Sequence, residues 1–190
     1  GQFLGSLEFI KSTKITGTFF SQPERITGKD SKKTNEIILP NFDYCIMNPP
    51  FTRSVGGNLL FGNLPGKERM QLQKKLRKMV HDIELPANIT AGLGAVFVAL
   101  ADKHIKDNGK IALVLPKALL SGVAWGKTRS IINNNYNLEY LIASHEPDHW
   151  NFSENTNLSE VLLIAKKKGK LEKTKSRCIC VNLWRQPRNA

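Results

Sequence analysis

Apolar residues recur along the chain in short solid runs, separated by longer segments in which they follow a helical spacing. Four runs predict strands: Phe42–Met47, Lys110–Leu115, Leu138–Ala143 and Glu160–Ala165. Apolar residues on one helical face predict three helices: Lys67–Ile83, Ala91–Lys106 and a segment around Trp125–Asn134. Strands that alternate with helices and are apolar throughout indicate an α/β sheet buried on both faces.

The rest of the chain is less regular. The second helix is expected to end in a turn at Asp107-Asn108-Gly109. Residues 1–41 are a lead-in, in which the polar stretch Ser21–Glu36 predicts a surface loop among short β-prone pieces: Leu7–Ile10, Ile15–Phe20 and Ile37–Leu39. Residues 169–190 are a basic tail whose alternating segment Arg177–Trp184 predicts an edge strand. We expect residues 1–190 to form one domain, with residues 42–168 as its regular part.

Composition narrows the class of protein. Hydrophobic residues make up 41% of the 190 residues, and no apolar run approaches the roughly 20 residues that span a bilayer, so a globular protein without membrane contact is expected. The three cysteines, Cys45, Cys178 and Cys180, have no metal-site spacing and indicate reduced thiols in a cytoplasmic protein. The formal net charge of +12 favours a polyanionic partner, although a merely solvated basic face weighs equally at this point.

The tetrapeptide Asn48-Pro49-Pro50-Phe51 carries the clearest chemistry, because it follows the first predicted strand directly. Ligands of open α/β sheets bind beyond the carboxyl ends of the strands. The prolines stiffen the loop and remove two N–H donors, the Asn48 amide oxygen and the Pro49 carbonyl oxygen can accept hydrogen bonds, and Phe51 offers a stacking face. These groups suit a planar ring that carries an NH2 group. An ordinary Asn-Pro turn has about even weight until the context is considered.

The ten residues Phe42–Phe51, FDYCIMNPPF, resemble the catalytic motif of amino-group DNA methyltransferases. They are most similar to the adenine-specific modification enzymes of type I and fused type II restriction systems. Gly109–Pro116 resembles the next strand of that family, Arg129 matches a frequent arginine, and Phe152 resembles a late base-binding motif. The resemblance covers roughly residues 42 to 168, so the chain is interpreted as the catalytic half of such a domain.

The resemblance implies a Rossmann-like, mostly parallel sheet of seven strands with one antiparallel strand near its end. It also implies methyl transfer from S-adenosylmethionine to the N6 amino group of adenine in DNA, within a restriction–modification system. The target base must leave the duplex, because its amino group is otherwise hidden. Asn48 and Pro49 would hold the amino group, Phe51 would stack on the base, and Phe152 or Trp150 would pack against it.

The resemblance extends to partners. Arg53 is expected to contact DNA close to the flipped nucleotide, and the helix that follows supplies candidate phosphate contacts: Lys74, Lys75 and Lys78. Enzymes that resemble this chain often read their sequence with a separate specificity domain or subunit, and a restriction nuclease is a further expected partner. No metal is expected, since the histidines lack metal-ligand spacing and the polar residues around His145–His149 indicate a solvated loop.

The chain departs from the family at the cofactor site, which is a Gly-rich turn after the first strand with an acidic residue after the second. We find no such turn before residue 42; Asp30 is the upstream candidate for a cofactor contact. Gly92-Leu93-Gly94 follows no predicted strand, and helix packing explains it better. We therefore expect a sheet that is truncated on its N-terminal side and a chain that is poorly active alone.

Two alternatives stay open. An Asn-Pro-Pro loop also serves enzymes that methylate RNA guanine or a protein glutamine, although these tend to have Tyr where this chain has Phe51. A methyltransferase fold without catalytic activity, used to bind nucleic acid, would account for the missing cofactor motif.

Overall fold

The computed structural model describes residues 25–26, 35–36, 40–52, 60–62, 64–82, 84–144, 159–169 and 177–184. The chain divides into two compact units. One consists of Gly1–Pro40 with Phe61–Leu85, and the other consists of Asn41–Leu60 with Pro86–Ala190. The β-prone pieces predicted before residue 40 lie outside the described residues. None of the described helices is long and apolar enough to cross a lipid bilayer.

The described residues of the first unit form one helix and a minimal strand pair. Strands β1 (Arg25–Ile26) and β2 (Asn35–Glu36) pair antiparallel, so the predicted loop over Ser21–Glu36 is wrong at these positions. Helix α1 (Gly66–Asp82) confirms the predicted helix, and its buried residues are spaced as one helical face: Leu72, Leu76, Met79 and Val80. It ends in a Schellman turn, in which the Leu85 N–H donates to Val80 O (3.0 Å) and Glu84 adopts a positive φ of 51°.

The second unit is an α/β sheet with two helices. Its elements in chain order are β3 (Phe42–Met47), α2 (Leu93–His104), β4 (Ile105–Pro116), α3 (Gly126–Asn135), β5 (Tyr136–Ser144), β6 (Glu160–Lys167) and β7 (Ile179–Leu183). Short 3-10 turns precede α2 and link β4 to α3: Ile89–Ala91, Lys117–Leu119 and Val123–Trp125. Every strand and helix predicted for residues 42–184 is present, with ends that shift by a few residues.

The five strands are arranged in the order β3-β4-β6-β5-β7. β3 is parallel to β4, and β5 is parallel to β7, whereas β6 runs antiparallel to both of its neighbours. The sheet is therefore mostly parallel with one antiparallel strand near the end of the chain, which confirms the predicted fold class. The carboxyl ends of β3, β4, β5 and β7 all meet at one edge of the sheet.

The core lies between the helices and one face of the central strands. Ile111, Leu113 and Leu115 of β4 are buried there, and their register partners on β6 are buried with them: Ala165, Leu163 and Val161. Burial of these apolar side chains stabilises the fold by about 25 cal/mol for each Å2 of apolar surface removed from water.

The opposite face is open at both edges of the sheet. Tyr44 and Ile46 of β3 are 72% and 84% exposed, and Ile179 of β7 is 53% exposed. The prediction that Phe42–Met47 is a buried strand, in a sheet covered on both faces, is therefore wrong for the described residues. Within the described part of the chain β3 lies at the edge of the sheet, and both described helices of this unit pack on the same face, the one that carries Leu115 and Leu163.

The predicted turn at Asp107-Asn108-Gly109 is a bulge instead of a chain reversal. Phe42 pairs with Ile105 and Tyr44 pairs with Lys110, so β4 has several extra residues where β3 has one. Asn108 adopts a positive φ of 66° within this bulge, a conformation that asparagine tolerates better than most residues. A Cβ at Gly109 would lie 2.9 Å from Asp43 O, so the close approach of the two strands requires glycine there.

A polar cluster ties the ends of α2, α3 and β6 together. Lys167 Nζ lies 3.4 Å from a carboxylate oxygen of Asp102, and both side chains are more than four-fifths buried. Asn135 Nδ2 donates to the other Asp102 oxygen (2.9 Å), and Lys167 Nζ also donates to the carbonyl oxygens of Asp102 and Ile105. The neighbouring Lys168 Nζ caps the C-terminus of α3 by donating to carbonyl oxygens in its last turn.

His104, at the end of α2, is expected to make the stability of the fold depend on pH. Burial and the neighbouring Lys103 lower the pKa of His104 below its ordinary value of 6.5, and its Nε2 has no hydrogen-bond partner among the described residues. The unfolded chain takes up this proton near pH 6.5 and the folded chain only at lower pH, so we expect the free energy of unfolding to fall as pH drops below 6.5. Urea unfolding at pH 7.0, 6.0 and 5.5 measures the slope.

The exposed His81 provides the control for this prediction. His104→Gln should flatten the pH dependence below pH 6.5, whereas His81→Gln should leave it as in the wild type. An unchanged slope in His104→Gln would show that other groups cause it.

Candidate active site

The loop Asn48–Phe51 begins directly after β3 and lies at the carboxyl edge of the sheet. Met47, the last residue of β3, pairs with Leu113, so the loop lies beside the end of β4. Pro49 is buried, Asn48 and Pro50 are exposed, and Phe51 is half-buried. The loop is thus anchored by one proline while its asparagine reaches solvent, at the edge where α/β sheets bind ligands.

A cleft of about 670 Å3 opens beside this loop. Phe51 and Thr52 form one part of its wall, and most of the rest comes from the segment that follows β4. The other lining residues are Thr90, Ala91, Pro116, Lys117, Ala118, Ser121, Gly122, Val123, Ala124, Trp125 and Ser159. Its volume is in the range of small-molecule sites, and its mixture of two aromatic side chains, apolar side chains and hydroxyl groups suits a planar heterocycle.

The far wall of the cleft is a rigid turn between β4 and α3. Arg129 Nη1 donates to Leu119 O (2.9 Å) and Gly122 O (2.7 Å), and Trp125 is buried behind the turn. Lys117 N–H donates to Ser159 O (2.7 Å), which fastens the start of the turn to the residue before β6. Arg129, selected in the sequence for its family resemblance, therefore contacts the main chain of the wall in this structure.

The predicted site residues are not all within the described part of the chain. Phe51 lines the cleft, and Asn48 lies at the end of β3 without being part of the cleft wall. Lys74 and Lys78 are exposed on α1 and Lys75 is half-buried; α1 belongs to the other unit. The remaining candidates lie outside the described residues: Asp30, Arg53, Trp150 and Phe152.

Sequence reasoning missed most of the cleft. Thr52, Lys117, Val123 and Ser159 were not singled out, although they line it. The available signal was Pro116, which ends the strand beside β3 just as Pro49 follows β3 itself. Two strands that end in proline at the same edge of a parallel sheet place their following residues close together.

Two of the three cysteines are poor candidates for an alternative nucleophile. Burial raises the pKa of the Cys45 thiol, and burial together with Cys180 raises the pKa of Cys178, whose Sγ lies 3.9 Å from Cys180 Sγ. Thiols of raised pKa are poor nucleophiles at neutral pH. Within the described ranges, no group of three or more His, Cys, Asp or Glu residues could hold a metal ion.

The sheet and the loop together define the class of protein. A mostly parallel sheet with one antiparallel strand, and an Asn-Pro-Pro-Phe loop at the carboxyl end of β3, are the features that the sequence resemblance implies for an amino-group methyltransferase. The chain belongs to the N-6 DNA methylase family, whose family model matches residues 19–184.

Solved structures are similar to this chain at low sequence identity. A chain from a type I R-M system, described for its complex assembly and conformational transition, is 17% identical with a TM-score of 0.46, covering 68% of this chain and 22% of its own. A class I S-adenosylmethionine-dependent methyltransferase from Listeria monocytogenes is 15% identical with a TM-score of 0.45, covering 78% and 39%. A modification subunit of a type I restriction enzyme from Vibrio vulnificus YJ016 is 20% identical with a TM-score of 0.41, covering 72% and 27%.

The chain thus spans between about a fifth and two fifths of the length of these structures. No curated protein sequence matches it.

S-adenosylmethionine is the cofactor that membership of the family implies. The described residues do not supply its expected site, because none of their glycines forms a Gly-rich turn at the carboxyl end of a strand. Gly109 lies inside β4, Gly92 and Gly94 lie at the start of α2, and Gly122 lies in the cleft wall. We therefore assign no described residue to the cofactor.

Proposed function

We propose that the protein to which this chain belongs methylates the N6 amino group of adenine in DNA, as part of a restriction–modification system. The observation that carries the proposal is the position of Asn48–Phe51 at the carboxyl edge of the sheet, with Phe51 in the wall of a cleft of about 670 Å3. Membership of the N-6 DNA methylase family supports it.

Asn48, Pro49 and Phe51 have separate roles in binding the base. Asn48 Oδ1 and Pro49 O each accept one hydrogen of the amino group, which draws the nitrogen toward tetrahedral geometry and localises its lone pair. Phe51 stacks on the ring and holds it in plane with these acceptors. S-adenosylmethionine, when bound, supplies an electrophilic methyl group. The methyl–sulfur bond would break as the bond to N6 forms, leaving S-adenosylhomocysteine, and the amino group would lose one proton after the attack, so Asn48 and Pro49 need not act as strong bases.

Binding of the target requires a flipped base and a polyanionic partner. Adenine N6 is inaccessible within the duplex, so the base leaves the stack and enters the cleft beside Phe51. Phe152 or Trp150 packs against its other face or edge, and Arg53 contacts the flipped nucleotide. Lys74, Lys75 and Lys78 contact phosphates, which agrees in sign with the net charge of +12. Asp30 is the proposed cofactor contact of the lead-in.

The assembly proposed around this chain follows from the same reaction. Residues 1–190 form part of one methyltransferase domain, with residues 42–168 as its catalytic half. The site in the DNA is selected by a separate specificity domain or subunit, and a restriction nuclease cleaves unmethylated sites. Such a system acts in the cytoplasm, where the DNA lies.

The experiment uses the full-length protein with its partner subunits and methyl-tritiated S-adenosylmethionine. Unmethylated genomic DNA, bulk RNA and a denatured protein mixture are offered as acceptors in parallel, and the labelled DNA is digested to nucleosides. We expect label in N6-methyl-2′-deoxyadenosine from the DNA, and no label when the same DNA has been methylated beforehand by the same protein. Label in RNA or protein instead, or DNA binding without any transfer, would contradict the proposal.

A further inference from the structure

The segment Gly92-Leu93-Gly94 forms the N-terminus of α2 and contacts the catalytic loop at Pro49 and Thr52. The Leu93 N–H donates to Thr52 Oγ1 over 3.1 Å, across 41 residues of sequence. The first N–H groups of a helix have no partner within the helix, and Gly92, the residue at the N-cap, has no side chain to supply one. Thr52 therefore takes the role of a capping residue for α2, although it belongs to the loop that carries Asn48 and Phe51.

Gly92 is required for this contact on two counts. Its φ of 96° lies in the left-handed half of conformational space, which side chains rarely adopt. A Cβ at this position would also lie 1.7 Å from Thr52 O and 2.9 Å from Thr52 C. The main chain of the loop thus rests directly on the main chain of Gly92, and any side chain there would push the loop away.

Gly94 supports the other end of the loop. A Cβ there would lie 3.1 Å from Trp125 Cη2, 3.6 Å from Leu115 Cδ2 and 3.9 Å from the ring of Pro49. Pro49 is the buried residue of the loop, and Trp125 belongs to the cleft wall. A short turn inside the loop, in which Thr52 N–H donates to Pro50 O (3.1 Å), connects the two supported positions. Phe51 lies between Pro49 and Thr52, and Asn48 directly precedes Pro49.

We propose that Thr52 and Gly92 are positioning residues of the methyltransferase site, which hold Asn48 and Phe51 in register with the cleft through the N-terminus of α2. The proposal rests on the proposed function, since it assigns these residues a role in that reaction. A catalytic loop has to be held within about 0.5 Å of its productive geometry, and a displacement of about 1 Å costs roughly 100-fold in rate. The contact of Leu93 with Thr52 sets that geometry without touching the substrate's reacting atoms.

The decisive variant is Thr52→Val, which keeps the shape of the side chain and removes the acceptor for Leu93 N–H. Thr52→Ser keeps the acceptor and serves as the rescuing variant. Thr128→Val is the matched control, because Thr128 is fully buried on α3 and its hydroxyl oxygen has no partner within the described part of the chain. All three are made in the full-length protein. Gly92→Ala is added as a harsher test, expected to lose roughly 100-fold in kcat.

Hydrogen exchange of the peptide that contains Leu93 is measured first, and it does not depend on activity. We expect Thr52→Val to accelerate exchange at this peptide, with Thr52→Ser and Thr128→Val close to wild type. Methyl transfer is measured next. We expect Thr52→Val to lower kcat about 10-fold, with KM for DNA and the melting temperature nearly unchanged, and Thr52→Ser to recover most of the rate.

The failures can be told apart. Unchanged hydrogen exchange in Thr52→Val, or accelerated exchange with wild-type kcat, overturns the positioning role. A fall in kcat that matches a fall in melting temperature, equal in Thr52→Ser, also overturns it, because it reveals a purely structural role. A wild-type protein that labels no adenine in DNA contradicts the proposed function, while the exchange result still decides whether the contact exists.

Discussion

Replacing Asn48 with alanine is expected to lower kcat for adenine methylation at least 100-fold while leaving the affinity for DNA within a few-fold. The side chain supplies one of the two acceptors for the amino hydrogens, and removing one preorganised polar group from a reacting centre typically costs 100- to 1,000-fold. The stability of the fold should change little, since Asn48 is exposed and substitutions at such positions are usually within about 0.5 kcal/mol.

Two further substitutions sharpen the test of Asn48. Asn48→Asp keeps an acceptor oxygen and so should retain more activity than Asn48→Ala, whereas Asn48→Gln moves the amide by one methylene and should be as poor as alanine. The control is Asn134→Ala, since Asn134 is also an exposed asparagine but lies on α3. This variant should be fully active. Rates are measured in a single turnover with labelled S-adenosylmethionine. An Asn48→Ala enzyme that retains more than a tenth of the wild-type rate would contradict the role of the loop.

Replacing Asp102 with alanine is expected to destabilise the fold by roughly 3 kcal/mol. Asp102 and Lys167 are only 16% and 18% exposed, so the substitution leaves the Lys167 ammonium group without its carboxylate inside the protein. It also removes the acceptor for Asn135 Nδ2. Urea unfolding followed by circular dichroism measures the loss in the free energy of unfolding.

The double variant separates the charge from the packing. Removing one partner of a buried ion pair costs more than removing both, so Asp102→Ala with Lys167→Met should recover a large part of the lost stability. The exposed pair of Lys106 and Asp43, whose atoms lie 3.0 Å apart, is the control. Asp43→Ala should cost less than about 1 kcal/mol, because surface ion pairs contribute little. Equal losses for Asp102→Ala and Asp43→Ala would show that burial does not strengthen the inner pair.

The order and type of the elements from residue 42 onward could be predicted because they follow from local patterns. Solid apolar runs ended by Pro49 and Pro116 fixed the two strands that border the candidate site. The burial of the first run could not be predicted in the same way. An apolar strand is equally compatible with the centre and the edge of a sheet. The exposure of Tyr44 and Ile46 follows from the strand order, in which β4 is the single described neighbour of β3.

The candidate site could be predicted only where its functional residues are adjacent in the sequence. Asn48–Phe51 form one peptide, so their position at the end of β3 followed from the strand prediction. The contact of Thr52 with Leu93 joins residues 41 positions apart and depends on the backbone conformation of Gly92, which no local pattern specifies. The pattern Gly92-Leu93-Gly94 indicates helix packing, and Gly94 does pack closely against Trp125 and Leu115. The approach of Gly92 to the loop could not be inferred.

β6 lies between β4 and β5 in the sheet, although it follows both of them in the chain. It forms seven residue pairs with each neighbour, and β4 and β5 form none with each other in this sheet. As the chain leaves the ribosome, β4 and β5 therefore emerge with unpaired edges, and such edges are prone to wrong association. The two halves of the sheet can join only after Lys167 has been synthesised and has emerged, and β7, which pairs with β5, is synthesised later still.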